Sequence, residues 1–254
     1  MMTTPTVLEI AGGVATVTLD LPAKHNALTA ALLDSLGDQL VRVAADASVR
    51  VVVLTHTGPT FCAGADLGAT GSPARFDLVN LLRLIQEMPK PVVGRIAGRC
   101  LGGGIGLAAA CDISIATTEA RFGFSEVRLG VAPAIISVVC LPKMRRADAA
   151  ELFLTGEQVD AHRAAAVGLV SRVVEPEDLD AAVTAVTGQL LLGEPGALAA
   201  VKRLLLNVPA MGRDEAFEWT SSMSEALFGS PAAVAGIAAF RERRVAPWAP
   251  PPGS

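Results

Sequence analysis

Residues 49–57, "VRVVVLTHT", form a near-continuous apolar run, and no other stretch constrains the fold as tightly. A strand that faces water on one side alternates polar and apolar residues. A run like this one is covered on both faces, as in a parallel sheet flanked by helices. The flanking segments agree. "TVLEIAGGVATVTLD" reads as a hairpin turning at Gly12-Gly13, and "NALTAALLDSLGDQLVRVAAD" as an amphipathic helix with Thr29 at its N-cap. After the buried strand and a loop, "FDLVNLLRLIQEM" reads as helix, "KPVVGRIAG" as strand, "GGGIGLAAAC" as helix and "DISIAT" as strand. This repetition predicts right-handed crossovers around a mainly parallel sheet. From about residue 145 the pattern turns helical, with one short strand in "GLVSRVV" and helices near 178–192, 196–207, 213–228 and 231–244. Gly193-Glu194-Pro195-Gly196 is the clearest break. It divides an α/β core, 1–193, from a helical region, 194–254, expected to make subunit contacts.

Charge and composition narrow the partners. The formal net charge of −4 comes with no basic stripe, which argues against a nucleic-acid partner. His25, His56 and His162 lie far apart, and Cys62, Cys100, Cys111 and Cys140 have no paired spacing, so no metal site is expected. The cysteines read as small core residues in a reducing cytosol. "MMTTPTVLEIAGG" lacks the basic start and apolar run of a leader. The longest uncharged stretches, Cys100 to Cys111 and Val131 to Pro142, fall short of the roughly 20 residues that a membrane helix needs. A cytoplasmic protein with no membrane partner is the expectation.

Function concentrates in "CLGGGIGLAAACD", residues 100–112, where glycines follow a strand and open a helix. That place offers unpaired backbone N–H groups at the positive end of a helix dipole, open to close approach. A dinucleotide fingerprint would need a third glycine where Leu107 stands, and a phosphate loop would need a lysine that does not follow. Close helix packing remains an alternative for Gly102 and Gly106. "TGPTFCAGADL", residues 57–67, follows the preceding core strand and is a second loop of small residues. Two neighbouring strand ends, each presenting an amide, would make an oxyanion hole, in which one donor is worth about 2.7–4 kcal/mol.

"PAKHNALT", "FCAGADL", "KPVVGRIAGRCLGGGIGLAAACDISIA", "ARFGFSEVRLG", "LTGEQVDAHRAAAVGLVSRVV" and "AAFRERRVAPW" together resemble the enoyl-CoA hydratase/isomerase (crotonase) family over residues 5–248. The resemblance implies an α/β fold, a spiral of ββα units with a C-terminal helical region, assembled as a homotrimer or a dimer of trimers. It implies a coenzyme A thioester substrate and no metal or redox cofactor, coenzyme A entering as part of the substrate. By matched position it places the oxyanion-hole amides at Ala65 and Gly103, where a side chain at 103 is expected to obstruct the carbonyl. It puts Ala63 at the adenine amine, Asp66 and Leu67 beside the pantetheine and nucleotide, and Lys24 and His25 near the phosphates. Phe240 and Arg243 match residues that a neighbouring subunit lends to the nucleotide.

Hydratases of the best-known type in this family use two glutamates. The first matched position is Gly106, so "GGGIGL" stands where "GGGCEL" is usual; the second, in "FGFSE", is Glu126. A carboxyl between Phe124 and Val127 is expected to have a raised pKa that suits proton transfer. An ion pair with Arg128 is the plainer reading of Glu126. Asp112 matches a structural position, and Glu119 lies at a strand end. "GGGIGLAAACDISIA" with "FSEVRLGVAPAIIS" resembles the bacterial 3-methylglutaconyl-CoA hydratase-like branch, which implies Gly106 as a subgroup trait. The leading expectation is hydration of a 2-enoyl-CoA, with a branched or glutaconyl-type acyl group as one option. Water would then be held by Glu126, by backbone groups or by a substrate carboxylate, and for that last alternative Arg99 or Arg128 is the candidate partner. A one-glutamate Δ3,Δ2-enoyl-CoA isomerase and a thioester-binding protein with little turnover are the alternatives.

Overall fold

A computed structural model describes residues 4–68 and 73–250. Strands β1 (Thr6–Ala11) and β2 (Val14–Leu19) form the expected antiparallel hairpin, and both turn glycines have positive φ. Helix α1 (Ala30–Ala45) starts where the Thr29 side chain accepts the Leu32 amide. Then come β3 (Val51–His56), β4 (Thr60–Cys62), α2 (Leu78–Glu87), β5 (Val92–Ile96), β6 (Arg99–Leu101) and α3 (Gly103–Ala110). Strands β7 (Ile113–Thr117) and β8 (Arg121–Gly123) precede α4 (Ala134–Cys140) and α5 (Arg146–Thr155). Strand β9 (Gln158–Asp160), α6 (Ala161–Ala166) and β10 (Arg172–Val174) complete the core. Helices α7 (Leu179–Leu191), α8 (Pro195–Asn207), α9 (Arg213–Phe228) and α10 (Pro231–Arg241) end the chain.

Among the described residues the strands make two sheets. The larger has the order β1-β2-β3-β5-β7-β10 and is parallel apart from β1. The smaller has the order β4-β6-β8-β9, with β4, β6 and β8 parallel. Three times in succession the chain passes from the large sheet to the small one and on into helical structure, which is the ββα spiral that the sequence resemblance implied. The residue-by-residue pattern missed the small sheet. Its strands are three residues each, too short to show a period, and β4 lay inside the segment read as a loop.

Strand β3 is buried on both faces, as its composition demanded. Val52 and Leu54 join the main core with α1 and α2, while Val51 and Val53 pack on Leu179, Val183 and Val186 of α7. The four cysteines are free and buried; burial pushes the Cys62, Cys111 and Cys140 thiols up to about 12 and keeps them protonated. Lys202 of α8 is buried too. Its ammonium donates to Ile85 O at 2.9 Å, Lys90 O at 3.0 Å and Asp112 Oδ2 at 2.7 Å, pinning the helical region to the core. Among the described residues no single helix is long and apolar enough to cross a membrane.

Candidate active site

The small sheet aligns the site. Cys62 pairs with Cys100, and Cys100 with Phe122, so β4, β6 and β8 stand in register. Ala65 and Gly103 each lie three residues beyond that row, and Glu126 lies four beyond. All three leave the carboxyl ends of adjacent parallel strands, where open α/β sheets place ligands. Strands spaced about 4.8 Å apart bring two amides to either side of one oxygen atom.

Backbone pairing aims the amides. Gly64 O accepts the Leu28 amide at 2.8 Å, and in a trans peptide the next N–H, that of Ala65, points the opposite way. Gly102 O accepts the Ile105 amide at 2.9 Å, which turns the Gly103 N–H out of the helix start. Neither Ala65 nor Gly103 donates elsewhere among the described residues. The two loops touch: a Cβ on Gly64 would lie 3.2 Å from Gly103 N.

Each glycine of the run has its own reason to be bare. Gly102 holds φ 50° and ψ −123°, and a Cβ there would come within 3.3 Å of Glu126 Oε1. At Gly103 a Cβ would meet Leu28 Cδ1 at 2.7 Å and Leu78 Cδ2 at 3.3 Å. That corrects the expectation for this position, because added bulk would press first on apolar side chains rather than on the carbonyl space. Gly104 lies against the Cys62 carbonyl, 2.5 Å from where its Cβ would be. At Gly106 a Cβ would overlap Ile136 Cγ2, so the space is filled and packing does explain this glycine.

A cavity of about 440 Å³ lies in front of the amides. Leu28, Leu78 and Ile136 form part of its wall, and Glu126 is its single charged lining residue among the described residues. The Glu126 carboxyl is half-buried, Oε2 has no partner among the described residues, and desolvation raises its pKa from the ordinary carboxylate value. Arg128 does not pair with it; Arg128 Nε donates to Thr155 O at 3.2 Å. Neither Arg99 nor Arg128 lines the cavity, so the expected clamp on a substrate carboxylate is absent among the described residues. Asp112 has the structural role that its position implied, accepting the Val92 amide and the Lys202 ammonium, each at 2.7 Å.

The residues expected around coenzyme A divide into two groups. Ala63 and Leu67 line the cavity. Lys24 pairs with Asp66 at 3.7 Å, and Asp66 Oδ1 accepts the Gly68 amide. His25 is exposed, with its carbonyl holding the Ala63 amide. Phe240 and Arg243 do not line the cavity of their own chain, and Phe240 is 84% exposed. The variable loop near 68–76, on which acyl selection was expected to depend, includes 69–72, which lie outside the described residues.

One residue escaped the sequence reading. Asn26 is fully buried at φ 51°; its Oδ1 accepts Leu21 N at 2.7 Å, and its Nδ2 donates to Thr57 O at 3.1 Å and Thr60 O at 2.8 Å. It ties the 21–26 turn to β4, the strand that leads into Ala65. An asparagine between Pro22 and Thr29 is a left-handed turn signal, and that was the available clue.

The sequence pattern that defines the enoyl-CoA hydratase/isomerase family matches residues 9–251. An (E)-benzylidenesuccinyl-CoA hydratase of Thauera aromatica is 33% identical over 94% of this chain and 97% of its own. A short-chain-enoyl-CoA hydratase of Clostridium acetobutylicum is 30% identical over 94% and 95% of the two chains. The crystal structure of an enoyl-CoA hydratase from Mycobacterium smegmatis, 32% identical, matches with a TM-score of 0.90 over 96% of this chain and 98% of that one.

Proposed function

The chain belongs to the enoyl-CoA hydratase/isomerase family, and from that premise we propose that it is a hydratase of 2-enoyl-CoA thioesters. One observation carries the reading: the half-buried Glu126 carboxyl faces the same cavity as two unengaged amides, those of Ala65 and Gly103. Hydratases among its relatives support it.

In this scheme the Ala65 and Gly103 amides donate to the thioester oxygen. They stabilise the enolate more than the thioester carbonyl because negative charge gathers on that oxygen. The Glu126 carboxylate takes a proton from water as the water oxygen bonds to C3. The carboxyl then delivers that proton to C2, the enolate collapses and the carboxylate is restored. The net change is one water added across one double bond, and proton transfers complete every step. A raised pKa suits a group that must both accept and return a proton. Lys24, His25, Ala63, Asp66 and Leu67 would hold coenzyme A at the mouth. Residues 194–254 would act as an assembly arm in a trimer or a dimer of trimers, bringing Phe240 and Arg243 to a neighbour's site.

A second reading follows from the same lining. One carboxyl with no second acid nearby also suffices to move a proton between C2 and C4, which is the Δ3,Δ2-isomerase reaction. Incubation with 2-enoyl and 3-enoyl thioesters separates the two. Hydration removes the conjugated enoyl absorbance, isomerisation creates it, and a protein that only binds thioesters changes neither.

A further inference from the structure

We propose that Ile136 is the specificity-determining residue of the cavity, setting the size and polarity of the acyl group that reaches Glu126. The proposal rests on the reading of that cavity as an acyl-thioester site. Ile136 is only 2% exposed, yet it lines the cavity together with Glu126. It sits on α4, which packs on α3, and its branch occupies the space that a side chain at Gly106 would need. A Cβ at 106 would also come within 3.1 Å of Ile136 Cβ and 3.6 Å of Leu82 Cδ2, so the wall has no slack on that side.

The pair therefore exchanges volume across two helices. A bare α3 admits a branched aliphatic side chain from α4, and this stretch of wall becomes apolar. Beyond Glu126, Ser125 supplies the only other polar side chain among the described lining residues. An acyl carboxylate entering here would lose water and find no cation among the described lining residues, a cost that an alkyl group escapes. Size is selected in the same place, since one methylene in an apolar pocket discriminates by about 10–200-fold.

The test is calorimetric titration with saturated thioesters, whose binding does not depend on turnover. Ile136→Ala should raise the octanoyl-CoA to butyryl-CoA affinity ratio by about 10-fold or more, and Ile136→Phe should lower it. Should the alanine variant not fold, Ile136→Val, which removes one methylene, should shift the ratio the same way by several-fold. Wild type should bind valeryl-CoA, with its terminal methyl, at least about 10-fold more tightly than glutaryl-CoA. Ratios unchanged in every variant, or equal affinity for valeryl- and glutaryl-CoA, would overturn the proposal. If the ratios shift as expected while wild type hydrates no 2-enoyl-CoA, the role of Ile136 stands and the hydratase reading fails. If no thioester binds, both fall.

Discussion

The Glu126 carboxyl stands over the bare Cα of Gly102, 3.3 Å from where a Cβ would be. Gly102 also holds φ 50° and ψ −123°, a conformation that residues with an L side chain rarely adopt. Gly102→Ala should therefore strain the turn, at roughly 1–3 kcal/mol of stability, and displace the carboxyl. Urea denaturation reads the first effect and kcat the second. Unchanged kcat in the folded variant would separate Gly102 from the chemistry.

Glu126→Gln should lower kcat by about 10²–10⁴-fold, because the amide keeps the size but is neither an acid nor a base near neutral pH. The same change should stabilise the fold near neutral pH. Burial raises the native pKa, so the native state holds its proton to higher pH than the unfolded chain does. Between those two values stability falls as pH rises, and the wild type is then left with a desolvated charge that glutamine lacks. Thermal melts across that window should show the variant's advantage shrinking as pH drops from the native value to the unfolded carboxylate value, and level below it. A constant difference at all pH would contradict the assignment.

Asn26→Asp keeps the acceptor for Leu21 and replaces the donor to Thr57 O and Thr60 O with an oxygen. Each buried group left unpaired costs about 1–3 kcal/mol. Because β4 leads straight to Ala65, kcat is expected to fall as well. Wild-type stability in chemical denaturation would show that the knot is dispensable.

Lys202→Met removes the ammonium that joins α8 to Asp112 and to two backbone carbonyls. Leaving a partly buried carboxylate without its cation should cost about 3–5 kcal/mol, measured by denaturant titration. A loss under 1 kcal/mol would mean that apolar contacts alone dock the helical region.

Helix α9 has no buried residue in the single chain, and Phe217 and Phe228 are 63% and 71% exposed. If the chain assembles as proposed, a neighbouring copy is expected to cover these side chains. Light scattering should give the mass of three or six chains, and Phe217→Asp should shift it downward. A wild-type mass of one chain would contradict the assembly.

The sequence by itself determined much of this. Two adjacent glycines turn the first hairpin, and an apolar run with no polar alternation requires cover on both faces of β3. Thr29 starts α1, and glycines after a strand mark an amide-rich helix start. These features are local, written within one turn or one strand, so period and composition reveal them. The matched "FGFSE" pointed to Glu126, while the reason its carboxyl is poised lay elsewhere. Strands β4, β6 and β8, of three residues each, carry no period. Their register is a pairing across tens of residues, and that register brings Ala65, Gly103 and Glu126 to one cavity. Gly106 and Ile136 show the same limit. Thirty positions separate them, neither predicts the other, and only the packing of α4 on α3 decides that one must be bare because the other is branched. Local conformational preference is legible along a chain; which side chains share a volume is settled only when distant segments close-pack.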